Sequence, residues 1–153
     1  MDLTKLKPIH LFSDFTELEL SKIASVAEPK FYSQGSEIFT LGEEASAFYV
    51  VLMGTVKLVV VSGSGDEVLI RTLGSGSHFG EMPFIDGQKR SASVQTLENC
   101  DLLEFKYSKF ENLLMSDASL AIKFYRSAAK YLALRLRATN LDLNQLKELK
   151  FHH

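Results

Sequence analysis

The sequence is poor in the features that mark several protein classes. It has one cysteine, Cys100, so an intrachain disulfide is excluded and a reducing compartment is expected. It has no apolar run near the roughly 20 residues that a membrane-spanning helix needs. Met1-Asp2-Leu3-Thr4-Lys5 lacks the apolar core of a signal peptide, and the expectation is a cytoplasmic protein. Histidines are few and scattered at 10, 78, 152 and 153, whereas a metal site of the cupin type needs several ligands close in sequence. No metal and no cofactor are therefore expected. No Gly-Lys-(Ser/Thr) follows the Ser62–Gly65 loop, which excludes a P-loop. Cys100 has no histidine near it and reads as a core or turn residue rather than a nucleophile. There is no evident water-activating base, so an enzyme is not expected.

What is present is an ordinary globular composition: 153 residues, 46% hydrophobic and 24% charged, enough for one domain with a real core. The net charge of −2 argues against nonspecific nucleic-acid binding, but it is unevenly spread. Residues 120–150 hold seven Lys/Arg against two Asp/Glu, a net +5, while residues 1–119 hold ten against seventeen, a net −7.

Three textures follow one another. Residues 14–27 predict a short helix, with Asp14 as cap, Glu17 as its capping-box partner, Leu18, Leu20, Ile23 and Val26 as apolar positions, and Pro29 as the stop. Between residues 30 and 106, short apolar runs alternate with glycine-rich breaks. The runs are Glu37–Leu41, Phe48–Met53, Thr55–Val61, Glu67–Leu73, Ser91–Leu97 and Asp101–Lys106, and Ser62-Gly63-Ser64-Gly65-Asp66 reads as a hairpin loop. Such spacing predicts an all-β barrel or sandwich. After Tyr107 come a short helix over Ser108–Met115 and a long one from Ala118 to about Lys150, which has neither Gly nor Pro. In the long helix Tyr125, Ala129, Leu132, Leu136, Thr139, Leu143, Leu146 and Lys150 form a heptad seam, while Leu134, Leu141 and Leu149 predict a second buried face. The seam predicts a homodimer.

One stretch carries chemistry: Phe79-Gly80-Glu81-Met82-Pro83-Phe84-Ile85-Asp86-Gly87-Gln88-Lys89-Arg90-Ser91-Ala92-Ser93-Val94. Gly80 reads as ending a strand on which His78 also lies. A one-turn helix then starts at Glu81–Phe84 with Pro83 in its first turn, and Asp86-Gly87 makes a turn. Exposed N–H groups and an arginine make an anion site, and the guanidinium fork matches a phosphate. A carboxylate beside them makes sense if the ligand also offers a hydroxyl donor, such as a ribose 2′-OH.

This stretch resembles the phosphate-binding cassette of the cyclic nucleotide-binding domain family, which includes the bacterial catabolite activator proteins and the regulatory subunits of cAMP-dependent kinase. The shared pattern is Phe-Gly-Glu, an apolar segment, then Arg-(Ser/Thr/Ala)-Ala-(Ser/Thr)-Val. Leu11-Phe12, Gly35–Ile38, Gly42-Glu43, Tyr49–Gly54 and Leu73-Gly74-x-Gly76 look like further landmarks, so the resemblance covers about residues 9–140. It implies an eight-stranded β jelly-roll barrel (30–106) between an N-terminal helical part (1–29) and C-terminal helices (107–151). It implies that Glu81 accepts the 2′-OH and that Arg90 pairs with the cyclic phosphate, helped by N–H groups around Gly80, Met82, Ser91 and Ala92. Leu58, Ile70 and Leu73 would wall the sugar and base, and Asn144, Gln145 or Glu148 would reach the base. Ser91, where relatives also carry Thr, leans toward cAMP over cGMP. Pro83 departs from the pattern by removing an N–H. The implied function is a cytoplasmic sensor or regulatory domain that turns occupancy into movement of its C-terminal helix through a hinge near residues 107–120. It would touch neither membrane nor DNA by itself and would pass its signal to a downstream effector. The alternatives are the sensor portion of a transcription regulator without its helix-turn-helix, or a ligand-free dimerisation scaffold.

Overall fold

A computed structural model describes residues 1–151, so His152 and His153 lie outside the described residues. Two short 3-10 turns, Leu3–Lys5 and His10–Phe12, lead into helix α1 (Glu17–Ser25). Eight strands follow: β1 (Ala27–Tyr32), β2 (Glu37–Phe39), β3 (Ala47–Met53), β4 (Val56–Val61), β5 (Glu67–Leu73), β6 (His78–Phe79), β7 (Ser93–Thr96) and β8 (Cys100–Lys106). Helix α2 (Met82–Asp86) interrupts them after β6, and α3 (Tyr107–Ser116) and α4 (Ala118–Phe151) close the chain. The fold is mainly β with flanking helices. The eight strands and flanking helices are as expected, and the strands hydrogen-bond as two four-stranded antiparallel sheets, β1-β8-β3-β6 and β2-β7-β4-β5; among the described residues no pairing joins the two sheets into a closed barrel.

Strand β3 explains why there are two cores. Successive side chains of a strand point to opposite faces. Phe48 and Val50 join Phe105, Phe110 and Phe124 in a core beneath the helices, while Ala47, Tyr49 and Val51 join Phe39, Val56 and Val94 between the sheets. A strand buried on both faces reads as a continuous apolar run, as Phe48–Met53 does.

Two local expectations are corrected. The cap of α1 is Thr16, not Asp14. Thr16 Oγ1 accepts the Glu19 N–H at 3.2 Å, and Glu19 Oε1 accepts the Thr16 N–H at 2.9 Å. Glu19 is also held by Lys123 of α4 at 2.6 Å, which fixes this register; Leu18 is left exposed. The helix ends at Ser25, and Pro29 lies inside β1 instead of stopping a helix. A proline is tolerated there because β1 is an edge strand paired only with β8.

Gly54 and Cys100 explain each other. Gly54 has φ +100°, and a Cβ there would lie 2.5 Å from the Asn99 carbonyl and 2.6 Å from Cys100 Sγ. Cys100 is fully buried at the start of β8, with burial pushing its thiol up from the ordinary value.

Helix α4 is 34 residues long, roughly 50 Å at 1.5 Å per residue. Only its first turns are covered: Leu120, Phe124, Ser127 and Ala128 are buried. The second face expected to be buried is open, with Leu134, Leu141 and Leu149 all more than half exposed. Leu134 sits off the Tyr131–Arg135–Thr139 face that meets the cavity, and Leu141 and Leu149 lie beyond Thr139.

The cap assignment has a direct check. Thr16→Ala should lower stability in urea unfolding by about 1 kcal/mol. Asp14→Ala, which loses only an exposed 3.6 Å contact with Lys130, should change it by less than about 0.5 kcal/mol.

Candidate functional site

The turn after β6 is built on backbone geometry that only glycine tolerates. Gly80 has φ +86°, and a Cβ there would lie 2.9 Å from Arg90 Nη1 and 3.3 Å from the Phe39 ring. The missing side chain is the space that the guanidinium occupies. Helix α2 follows, with Pro83 in its first turn and Gly87 (φ 71°) closing it by donating its N–H to the Pro83 carbonyl at 2.8 Å. Glu81 precedes the helix but makes no capping bond, so its carboxylate is free to face the cavity.

Arg90 is buried and held by dipoles. Nη1 donates to the Gly80 carbonyl at 3.0 Å and to the Tyr107 hydroxyl at 3.3 Å, and Nη2 donates to the Ala47 carbonyl at 2.6 Å. Its Cζ lies 3.7 Å from the centre of the Phe39 ring, a cation–π contact. The backbone is clamped too: Arg90 N–H donates to the Glu43 carbonyl and Gly42 N–H to the Arg90 carbonyl, both at 2.9 Å. Among the described residues no carboxylate pairs with it, and its Nε is buried without a hydrogen-bond partner. Tyr107 also donates to the Gly80 carbonyl. Burial pushes the Tyr107 phenol up to about 12, against the opposing pull of Arg90.

Glu81 is 5% exposed. Its Oε1 lies 3.2 Å from His78 Nδ1, within ion-pair reach but not aligned as a hydrogen bond, and its Oε2 is buried with no partner. Burial pushes its pKa up, but His78 and Arg71 outweigh burial, and the net direction is down.

These groups meet in one cavity of about 280 Å³, close to the roughly 300–1,000 Å³ usual for small-molecule pockets. Nine residues singled out from the sequence line it: Gly80, Glu81, Met82, Arg90, Ser91 and Ala92, with Leu58, Ile70 and Leu73. Ile70 reaches it through a register shift, since β4 pairs Leu58 with Arg71 but Val59 with Leu69, leaving Ile70 as the extra residue of a bulge.

Further residues complete the lining. Phe39, Arg71, His78, Phe79, Pro83 and Val94 come from the sheets and cassette, and Tyr131, Leu132, Arg135 and Thr139 come from α4. Tyr131, Arg135 and Thr139 recur at a spacing of four, which marks one helical face, but nothing in the sequence says that this face meets the cavity. Asn144, Gln145 and Glu148, expected over the base, are not part of the lining and are exposed, since α4 leaves the cavity after Thr139.

The direction of the Glu81 shift gives a pH dependence. A depressed folded-state pKa means that ionised Glu81 contributes stability present above its ordinary value of 4.5 and lost as pH falls through the depressed value. Urea unfolding followed between about pH 5 and pH 3 should therefore lose stability less steeply in Glu81→Gln than in wild type. Equal slopes would contradict the assignment.

Comparison with known proteins places this geometry. The family model of the cyclic nucleotide-binding domain matches residues 29–117. The chain is 32% identical over 141 residues to the cyclic AMP receptor protein of Thermus thermophilus, covering 92% of this chain and 63% of that protein. It is 35% identical over 95 residues to human cGMP-dependent protein kinase 2, covering 61% of this chain and 12% of the kinase. The crystal structure of the Thermus thermophilus catabolite activator protein superposes with a TM-score of 0.79 at 31% identity, over 90% of this chain and 63% of that one. The chain thus spans less than two thirds of the length of these relatives. With the cassette residues gathered on one cavity and the family model matching more than half of the sequence, the chain belongs to the cyclic nucleotide-binding domain family.

Proposed function

We propose that the chain is a cytoplasmic regulatory sensor that binds a cyclic mononucleotide and converts its presence into movement of α4. One observation carries this reading: Glu81 and Arg90 line the same cavity, and among the described residues Glu81 Oε2 and Arg90 Nε are buried without a hydrogen-bond partner. Buried polar groups are normally hydrogen-bonded, and burying charge without a partner is costly. A ligand that offers an anion to Arg90 and a hydroxyl to Glu81 satisfies both, and a ribose 3′,5′-cyclic phosphate offers both on one ring system. Arg90 takes the phosphate with N–H groups around Gly80, Met82, Ser91 and Ala92. Glu81 takes the 2′-OH, and Leu58, Ile70 and Leu73 face the apolar parts. A scaffold without a ligand would gain nothing for leaving Glu81 and Arg90 unmatched. Binding alone accounts for both residues, so no turnover is proposed.

Ser91 favours cAMP through the family resemblance. A second reading, cGMP, is favoured by Arg71 and Arg135, which line the cavity besides Arg90. Guanine presents two acceptors, N7 and O6, that an arginine fork matches, whereas adenine replaces O6 with an N–H donor.

Coupling to α4 has a physical route. Tyr107, the first residue of α3, touches both Arg90 and the Gly80 carbonyl. Phe84 of α2 packs against Tyr107, Phe110 and Phe124 with ring centres 5.3, 5.6 and 5.8 Å away. A phosphate that draws on Arg90 and the cassette backbone moves contacts shared with α3 and α4, and the favoured helix position is the one that binds ligand better. The chain break between the helices is Asp117, in an extended conformation. Its carboxylate accepts Lys22 Nζ at 2.8 Å and the Leu120 N–H at 3.1 Å. The exposed seam residues Tyr125, Leu136, Leu143 and Leu146 support a homodimer through α4.

Titration calorimetry with cAMP, cGMP and linear 5′-AMP tests the reading. Heat with a cyclic nucleotide and none with 5′-AMP is expected; no heat with either cyclic form overturns it. Arg90→Ala should cost about 2–5 kcal/mol of binding, and an affinity within a few-fold of wild type would refute the role of Arg90. For the seam, Leu136→Glu should leave the sheets folded by circular dichroism and shift the sedimenting species to a monomer; an unchanged mass refutes the dimer.

A further inference from the structure

His78 takes no part in the proposed phosphate and ribose contacts, yet its surroundings are unusual. It lies on β6, is 3% exposed and lines the cavity. Both of its ring nitrogens are buried without an aligned hydrogen-bond partner, and Nδ1 is 3.2 Å from Glu81 Oε1. The imidazole lies against the Tyr131 ring of α4, with centres 4.3 Å apart and planes at 57°. Tyr131 is fixed from two further sides. Its hydroxyl accepts Arg71 Nη1 at 3.2 Å, and His10 meets its ring edge-on at 5.3 Å. Of the titratable and charged groups around it, Glu81 and Tyr131 touch His78, Arg71, Arg90 and Arg135 line the same cavity, and His10 of the N-terminal segment packs on Tyr131.

We propose that His78 is a positioning residue for the ligand site, holding Oε1 of Glu81 so that Oε2 stays aimed at the ligand's ribose hydroxyl. A carboxylate has two acceptor oxygens and a freely turning terminal torsion. Fixing one oxygen orients the other before the ligand arrives, which lowers the ordering cost of binding. Because the same imidazole rests on Tyr131, the orientation of Glu81 also depends on where α4 lies. His78 thereby links the ribose contact to the helix by a route that bypasses Arg90 and Tyr107.

The proposal rests on the cyclic nucleotide reading, and its test separates the two. Affinities of cAMP, cGMP and their 2′-deoxy forms are measured by calorimetry on wild type, His78→Phe and His78→Asn. His78→Phe keeps a ring against Tyr131 and should weaken the ribose forms about tenfold while changing the 2′-deoxy forms by less than about twofold. His78→Asn, which retains an N–H near the Nδ1 position, should recover most of that loss. Equal weakening of ribose and deoxy forms, or no change in either, overturns the proposal. A second arm needs no ligand. Imidazole nitrogen chemical shifts report which ring nitrogen carries the proton; the Nδ1–H form should prevail in wild type and lose population in Glu81→Ala. Unchanged shifts overturn the His78–Glu81 contact. Wild type that binds no cyclic nucleotide overturns the proposed function, and the nitrogen shifts still decide whether His78 holds Glu81.

Discussion

The structure is organised around one buried cation. Arg90 sits in the interior without an ion-pair partner among the described residues, and burying a lone charge is among the most costly things a fold can do. The protein offsets that cost with dipoles and a ring face: two carbonyls, one phenol and Phe39. Each of these imposes a further constraint. The Gly80 carbonyl is available only because Gly80 adopts φ +86°, and no side chain can share the space with Nη1. The Ala47 carbonyl fixes the start of β3, and the Gly42-Glu43 turn grips the Arg90 backbone on both sides. The resemblance lists Gly42-Glu43 only as a landmark; the structure gives the pair its work, which is to hold Arg90 in place.

The contacts that hold Arg90 also tie the site to the helices. Tyr107 ends the β region, begins α3 and touches Arg90, so the cation is read by the first residue of the helical part. Phe84 makes the second tie, from α2 into the cluster of Phe110 and Phe124. Aromatic packing of this density transmits displacement because it has few alternative arrangements. In the proposed mechanism, ligand binding therefore acts on the hinge by changing the balance of forces on Arg90, with no need for the ligand to touch α3.

What the sequence showed and what it hid follow from how local each feature is. Glu81 and Arg90 were legible because the turn, helix and strand that place them lie within sixteen consecutive residues. The cap of α1 was misplaced because Asp14 and Glu17 match the same short motif as Thr16 and Glu19. Only the distant Lys123, packed on Glu19, selects the second pair. Strand β1 is hidden in the sequence because Pro29 and two further exposed residues break its pattern, and its identity rests on pairing with β8, some 70 residues away. The α4 wall was hidden for a similar reason. Helical spacing groups Tyr131, Arg135 and Thr139, but the rotation of the helix about its axis is set by Phe124 and Ala128 in the core.

That rotation also changes the meaning of the heptad seam. A straight α-helix drifts by about 20° per heptad against a strict seven-residue repeat. Over three and a half heptads the seam therefore turns through roughly 70° around α4. Its members accordingly meet different surroundings: Tyr125 touches Phe84 and Phe124, Leu132 and Thr139 line the cavity, and Leu143 and Leu146 are exposed. One sequence pattern thus serves the aromatic cluster, the cavity wall and an open surface, with Leu136 exposed between the two cavity residues. A partner helix following the seam would reach the cavity wall at Leu132 and Thr139, so association along α4 and closure of the cavity draw on the same two residues. In the proposed dimer, whatever fixes the position of α4 against the second copy would also fix how its face meets the cavity.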